Sequence, residues 1–150
     1  MHMRKVMSLV VTTLLWFVLP VCSWAETYQV KMLNRNHTGP MPFEPDYLKL
    51  QPGDKIQFLA SNIGHNAASI VDMMPEGASP FKGKINEEIL VEFTQKGFYG
   101  IQCVPHYGMG MVMLVQVGDA SLDALVVPDV VPDAPHKRFQ KIIERAKGLK

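Results

Sequence analysis

The sequence predicts an all-β protein, built as a β-sandwich, with a helical tail. Between residues 28 and 117, apolar and polar side chains alternate in four short segments, a pattern typical of strands that bury one face. Turn-forming sequences such as Pro52-Gly53-Asp54 and Lys96-Gly97 separate these segments. Short strands at this spacing, with no helical period between most of them, indicate a sandwich. The apolar members are Tyr28, Val30 and Met32; Ile56 and Phe58; Ile89, Val91 and Phe93; and, in a less clean alternation, Met113, Val115 and Val117.

The tail begins after Asp119 and is predicted to hold two helices. Residues 121–126 are compatible with a short one. The second has a single apolar stripe, and we expect Asp133 to cap it and Gly148 to end it. Because the stripe is narrow and the helix short, packing on the sandwich is favoured over a position on a membrane surface. The stripe consists of Phe139, Ile142, Ile143 and Ala146.

The first 25 residues have the layout of a secretory signal peptide. Arg4 and Lys5 form a positive start, residues 6–21 carry no charge, and cleavage is expected after Ala25. The uncharged run has 16 residues, short of the roughly 20 that cross a bilayer, which disfavours a membrane anchor. We therefore expect export to the periplasm and three parts: a signal peptide over 1–25, the sandwich domain over 26–119 and a helical extension over 120–150.

Composition and charge limit the classes of function. The chain has 150 residues, of which 47% are hydrophobic and 19% charged, as in a globular protein of one domain. The net charge of +1 lacks the strong basic excess of a nucleic-acid binder. Without residues 1–25, 13 basic and 14 acidic residues remain, and Cys103 is the single cysteine. A lone cysteine in an oxidising compartment cannot form an internal disulfide, so metal ligation is one of the few roles open to it.

Four residues have the side chains of a metal centre. Cys103, His106 and Met111 fall within nine residues, and His65 lies 38 residues before the cysteine. Cys103 ends a predicted strand and Met111 begins the next, so the loop between them can bring its side chains together, and a sandwich can bring His65 to the same point. One thiolate, two imidazoles and a thioether match the His₂CysMet set of blue-copper sites. Zinc gains little from a thioether, and non-haem iron prefers carboxylates.

Each residue also has an ordinary structural interpretation. Cys103 alone is compatible with a buried core residue, and the methionines at 109, 111 and 113 with core filling. Two other functions compete with electron transfer. An enzyme could be a cysteine hydrolase or a copper oxidase, but a Cys–His catalytic pair is usually far apart in sequence, and an oxidase needs more histidines. A copper-storage or delivery protein would have a more exposed, methionine-rich site.

Longer motifs resemble the pseudoazurins, a family of blue-copper proteins with the cupredoxin fold. The similarity extends over residues 26–150. It implies a Greek-key sandwich of about eight strands with two C-terminal helices. The motifs are Met32-Leu33-Asn34, Gly64-His65-Asn66, Asp72-Met73-Met74-Pro75-Glu76-Gly77-Ala78, Lys84-Ile85-Asn86-Glu87 and Cys103-Val104-Pro105-His106-Tyr107-Gly108-Met109-Gly110-Met111.

The resemblance also implies the roles of single residues. It places one copper ion, cycling between Cu(I) and Cu(II), on four ligands, with Met111 rather than Met109 as the thioether. It places three further residues around them: Asn66 near the Cys103 sulfur, Pro105 in the ligand loop and Met41 beside the His106 ring. The four implied ligands are His65, Cys103, His106 and Met111.

The function implied by the resemblance is a periplasmic carrier of single electrons that is not itself an enzyme. Electrons would leave through His106, inside an apolar surface. The implied partners are a copper nitrite reductase and other periplasmic redox proteins such as cytochromes c. We expect a monomer that binds no nucleic acid and has no stable membrane insertion.

Pro105 leads to a prediction about the reduction potential. Proline has no N–H, so residue 105 cannot donate a hydrogen bond to the Cys103 thiolate. A donor there would stabilise the negative sulfur, weaken its donation to copper and raise the potential. We therefore expect Pro105→Ala to raise the reduction potential relative to wild type in a redox titration. An unchanged or lower potential would contradict this account of the sulfur.

Overall fold

A computed structural model describes residues 24–149 of the chain, so most of the predicted signal peptide lies outside the described residues. The described part contains ten strands and one α-helix. In chain order these are β1 (Thr27–Met32), β2 (Arg35–Asn36), β3 (Gly39–Pro40), β4 (Phe43–Glu44), β5 (Tyr47–Leu50), β6 (Lys55–Leu59), β7 (Ala68–Ser69), β8 (Ile89–Glu92), β9 (Gly97–Gln102), β10 (Val112–Val117) and α1 (Asp133–Lys147).

Eight of these strands form two four-stranded sheets. The first has the order β4-β1-β6-β8 and the second β5-β10-β9-β7. β1 pairs with β6 and β5 with β10 in parallel, whereas the other neighbours are antiparallel. The short β2 and β3 pair with each other as a separate hairpin. This architecture confirms the predicted sandwich of about eight strands.

The main core lies between the two sheets. Val30 and Met32 of β1 and Ile56 and Phe58 of β6 are fully buried, as their alternation predicts. Burying one such side chain contributes about 1.5–3 kcal/mol of hydrophobic free energy, so the two inner faces together are the main source of stability. Phe93 packs edge-on against the ring of Tyr99, which extends the core across both sheets.

The central strand β10 is buried on both faces, which explains its imperfect alternation. Val115 and its same-face neighbours belong to the core between the sheets. Val112 and Leu114 point the other way, into a second core beneath α1. The predicted stripe of α1 fills that second core, with Phe139 and Ile142 fully buried. The helix therefore packs on the sandwich, as the narrow stripe indicated.

The tail differs from the prediction in its details. Asp133 is the first residue of α1 rather than its cap: Pro132 occupies the N-cap position and offers no side-chain hydrogen bond. The Asp133 carboxylate instead lies in the first turn, where its negative charge interacts favourably with the positive end of the helix dipole. The predicted short helix at 121–126 is a three-residue 3₁₀ turn, Leu122–Ala124, in which the Ser121 hydroxyl accepts the Asp123 N–H. Across residues 24–149, none of the helices has the length and apolarity needed to span a bilayer.

The helix begins directly against the loop that precedes β10. Gly110, the last residue before Met111, has φ +87, and a Cβ added there would lie 3.2 Å from the carbonyl oxygen of Ala134. The same loop contains Gly108, where an added Cβ would meet nothing within 4 Å. Glycine is thus required at position 110 both by the packing of the helix and by the positive φ of the turn.

We expect Gly110→Ala to destabilise the protein by about 1–3 kcal/mol, because alanine would be strained at that φ and would press on the helix. The free energy of unfolding of the metal-free protein, measured in urea, tests this. Gly108→Ala is the matched control and should change stability by less than about 0.5 kcal/mol. Equal effects of the two substitutions would show that the contact with Ala134 is unimportant.

Candidate metal centre

Two loops at one end of the sandwich bring His65, Cys103 and His106 together. His65 lies between β6 and β7, and Cys103 directly follows β9. His106 lies in a 3₁₀ helix, Val104–Met109, which fills the loop that the sequence predicts as a hairpin end. The loop is closed by hydrogen bonds from the Cys103 N–H to the Met111 carbonyl, 3.0 Å, and from the Met111 N–H to the His106 carbonyl, 3.2 Å.

The donor atoms of three predicted ligands form a compact triangle. Cys103 Sγ lies 3.6 Å from Nδ1 of His65 and 3.6 Å from Nδ1 of His106. The two Nδ1 atoms are 3.1 Å apart. Atoms that share one metal ion at roughly 2.0–2.3 Å have separations of this size. His65 and Cys103 are fully buried, whereas His106 is partly exposed.

Burial sets the protonation of these groups. It raises the pKa of the Cys103 thiol, and the backbone N–H groups of Asn66 and His106 partly oppose that rise. Burial lowers the pKa of His65, and the neighbouring His106 lowers it further. The pocket thus favours a neutral imidazole, which is the form that binds a metal. A cation at this point would favour the thiolate, since metal binding and thiol deprotonation are coupled.

Asn34 fixes the orientation of the His65 ring. Nε2 of His65 lies 2.7 Å from Oδ1 of Asn34, an atom that can only accept, so Nε2 carries the proton. Nδ1 is then left with its lone pair toward Cys103 and His106. The Asn34 N–H in turn donates to Oδ1 of Asn62 at 2.8 Å. Sequence reasoning assigned Asn34 no role at the site, because the contact joins residues 31 positions apart.

Asn66 connects the loop of His65 to the loop of Cys103. Its Oδ1 accepts the Val104 N–H at 2.8 Å, and its Nδ2 donates to the Gly83 carbonyl at 2.9 Å. Asn66 is buried, and its own backbone N–H reaches the Cys103 sulfur. The side chain therefore holds the residue after Cys103 in place, while the backbone contacts the sulfur itself.

The remaining predicted residues surround this triangle in different ways. Met111 is fully buried in the main core, whereas Met109 is 55% exposed. Burial thus separates the two methionines, which sequence spacing alone does not. Pro105 is exposed in the first turn of the 3₁₀ helix. Met41 is partly buried with φ 49 and packs on the main core, and its contact with the His106 ring stays a prediction.

The donor set fits copper on chemical grounds. The thiol of Cys103 and the imidazoles of His65 and His106 converge, and no carboxylate joins this cluster among residues 24–149. The thioether of Met111, eight residues after Cys103, is buried. Soft sulfur with imidazole suits copper, while the lack of carboxylates disfavours non-haem iron. The fold and the site together define the class of small copper proteins built on a β-sandwich.

Comparison with known proteins identifies the family. A family model described as copper binding proteins of the plastocyanin/azurin family matches residues 30–118. A pseudoazurin from Paracoccus pantotrophus is 48% identical over 103 residues, which cover 67% of this chain and 71% of the relative. A putative pseudoazurin from Rhizobium leguminosarum bv. viciae is 42% identical over 117 residues, covering 77% and 76%. The solved pseudoazurin structure from Methylobacterium extorquens AM1 has a TM-score of 0.72 at 39% identity, covering 81% of this chain and 99% of that one.

The chain therefore belongs to the pseudoazurins, within the copper-binding plastocyanin/azurin family. It is a blue-copper electron-transfer protein with the cupredoxin fold, and its cofactor is copper.

The pKa of His65 leads to a prediction about pH. Its folded-state pKa lies below the unfolded value of about 6.5, so the unfolded chain takes up this proton first. The contribution of neutral His65 to the free energy of unfolding of the metal-free protein should be fully present above about pH 6.5. It should be lost as the pH falls, by no more than about 1.4 kcal/mol per pH unit for one proton. Urea unfolding at about pH 7.5 and 5.5 measures the slope.

One substitution tests whether His65 is the source of this slope. His65→Gln should reduce the loss of stability on acidification, because the buried imidazole is gone. A wild-type slope in His65→Gln would exclude His65 as its source.

Proposed function

We propose that the protein carries single electrons in the periplasm, with copper bound by His65, Cys103, His106 and Met111. The observation that supports this most strongly is the triangle of donor atoms, all within 4.8 Å of one another. Two of the three residues are fully buried, and Met111 is buried in the core beside them. Copper would supply the one-electron couple between Cu(II) and Cu(I) at this point.

The surrounding residues favour electron transfer over catalysis. Four ligands in a buried pocket leave no open position for a substrate, in contrast to catalytic metal sites. The hydrogen bonds of Asn34 and Asn66 hold the ligand loops in one arrangement. A centre that changes little in shape between two oxidation states needs little reorganisation, so electrons can pass rapidly.

His106 offers the route to a partner. It is the one residue of the donor triangle that is partly exposed. Its neighbours in the loop, Val104 and Met109, are 42% and 55% exposed, and Pro105 is exposed as well. An apolar surface around an exposed ligand edge lets two proteins approach closely without desolvating charges.

The proposed partners are periplasmic redox proteins, including a copper nitrite reductase and cytochromes c. Three features support this assignment: the signal-like sequence of residues 1–25, the lone thiol, and the similarity to pseudoazurins. Residues 26–119 carry seven basic and ten acidic residues. Because this charge is small, electrostatic steering should be modest and apolar contact should dominate binding.

The rival functions find less support in the site. A cysteine hydrolase needs a thiolate that substrates can reach, whereas Cys103 is fully buried with a raised pKa. A copper-delivery protein needs an exposed site that releases the ion. The buried thiol and His65 favour permanent retention instead.

A visible spectrum tests the proposed function. After addition of Cu(II), we expect a strong band near about 600 nm from charge transfer between the Cys103 thiolate and copper, and ascorbate should bleach it. Folded protein that binds copper but stays colourless would overturn the electron-carrier assignment and favour storage.

The two methionines of the loop allow the thioether ligand to be tested. Met111→Leu should shift both the absorption spectrum and the reduction potential, since the axial ligand tunes blue-copper sites. Met109→Leu is the matched control and should leave both unchanged, because its side chain is largely exposed. The opposite result would assign the thioether to Met109.

A further inference from the structure

The C-terminal helix reaches the hairpin next to the copper site through Arg138. One guanidinium nitrogen of Arg138 donates to the carbonyl oxygen of Pro40 at 3.1 Å, a contact between residues 98 positions apart. Pro40 is the last residue of β3, in the small hairpin formed by β2 and β3. A cationic donor gives a stronger hydrogen bond than a neutral one.

The base of that hairpin contacts His65. The Met41 N–H donates to the Asn34 carbonyl at 2.9 Å, directly beside the Pro40 carbonyl that Arg138 holds. The side chain of Asn34 then accepts the Nε2 proton of His65 at 2.7 Å. Three hydrogen bonds, joined by the Pro40–Met41 peptide unit and by Asn34 itself, thus connect the helix to the imidazole.

The hairpin depends on such contacts for its position. Among the described strands, β2 and β3 pair only with each other and join neither sheet. Met41, which leaves the hairpin, has φ 49, a conformation that a side chain adopts only when its surroundings enforce it. Single hydrogen bonds anchor the hairpin instead: the Asn34 N–H donates to Asn62 Oδ1 and Asn36 Nδ2 donates to Glu44 Oε1. Arg138 is the anchor that comes from α1.

Arg138 is well placed to be that anchor. The next residue, Phe139, is fully buried in the core beneath α1. The helix also contacts the sandwich at its other end, where Arg145 pairs with Asp46 at 2.6 Å, but the buried Phe139 suffices to hold the helix at Arg138. The backbone at Arg138 is therefore fixed relative to the sandwich, and its side chain transmits that position to Pro40.

We propose that Arg138 is a positioning residue for the copper ligand His65, acting through Pro40, Met41 and Asn34. The helix thereby limits how far the imidazole moves when the centre gains or loses an electron. This inference deepens the proposed function and rests on His65 being a ligand. It gives the C-terminal helix a role in redox chemistry in addition to covering the sheet.

Solvent exchange of the His65 Nε2 proton, followed by NMR, tests the proposal. We expect Arg138→Met to accelerate this exchange on the order of tenfold, as expected when one hydrogen bond that holds the closed loop is lost. The electron paramagnetic resonance spectrum of the oxidised copper protein should change as well. Arg138→Lys keeps a cationic donor and should restore part of the protection. Should Arg138→Met fail to fold, Arg138→Leu, which also lacks a donor, provides the same comparison.

Two control variants separate positioning from simpler effects. Lys141→Met removes an exposed positive charge from the same helix, and Arg145→Met removes the ion pair at its other end. Neither should alter the exchange of the His65 proton. If either accelerates it as much as Arg138→Met, or if Arg138→Met has no effect, the proposal is wrong. The proton exchange is also measured on the metal-free protein and so does not depend on copper binding. A wild-type protein that stays colourless with Cu(II) would therefore contradict the proposed function but not the positioning role of Arg138.

Discussion

The close approach of a thiol and two imidazoles in a buried pocket is the constraint on which this structure depends. Sγ of Cys103 and the two Nδ1 atoms lie within 4.8 Å of one another, although each group is better solvated in water. Burying these groups costs free energy, and the lowered pKa of His65 and the raised pKa of Cys103 reflect that cost. A metal ion can offset it, but only if the residues around the pocket prevent the ligands from turning outward.

Hydrogen bonds from neighbouring loops provide this restraint. Asn34 holds the ring of His65, and Asn66 holds the chain just after Cys103. Both amides use side-chain atoms that would otherwise be solvated, and their partners are backbone groups or the ligand itself. The restraint is therefore local, strong and independent of the metal. Such preorganisation is what a rapid electron carrier needs, since it leaves little rearrangement for the transfer step.

The sheets make that local restraint rigid. β10 lies at the centre of one sheet and is buried between the main core and the core beneath α1. The ligand loop enters β10 at Met111 and passes directly under the start of the helix at Gly110. Packing on both sides of one strand thus fixes the ends of the loop that contains Cys103 and His106. The partly exposed His106 is the proposed contact point for a partner.

Periodicity and side-chain chemistry within short segments determined the sandwich, the helical stripe and the candidate ligands His65, Cys103 and His106. The choice of Met111 over Met109 came from the resemblance to a known family. The copper preference followed as well, since it depends on ligand types rather than on their positions. Only the tertiary structure decided how Asn34 and Arg138 relate to His65, and which loop methionine is buried. The roles of Asn34 and Arg138 arise from contacts between residues 31 and 98 positions apart, and the burial of Met111 arises from its place at the start of the central strand β10. Such contacts leave no periodic trace in a sequence, because they join residues that are far apart along the chain and meet only in the folded structure.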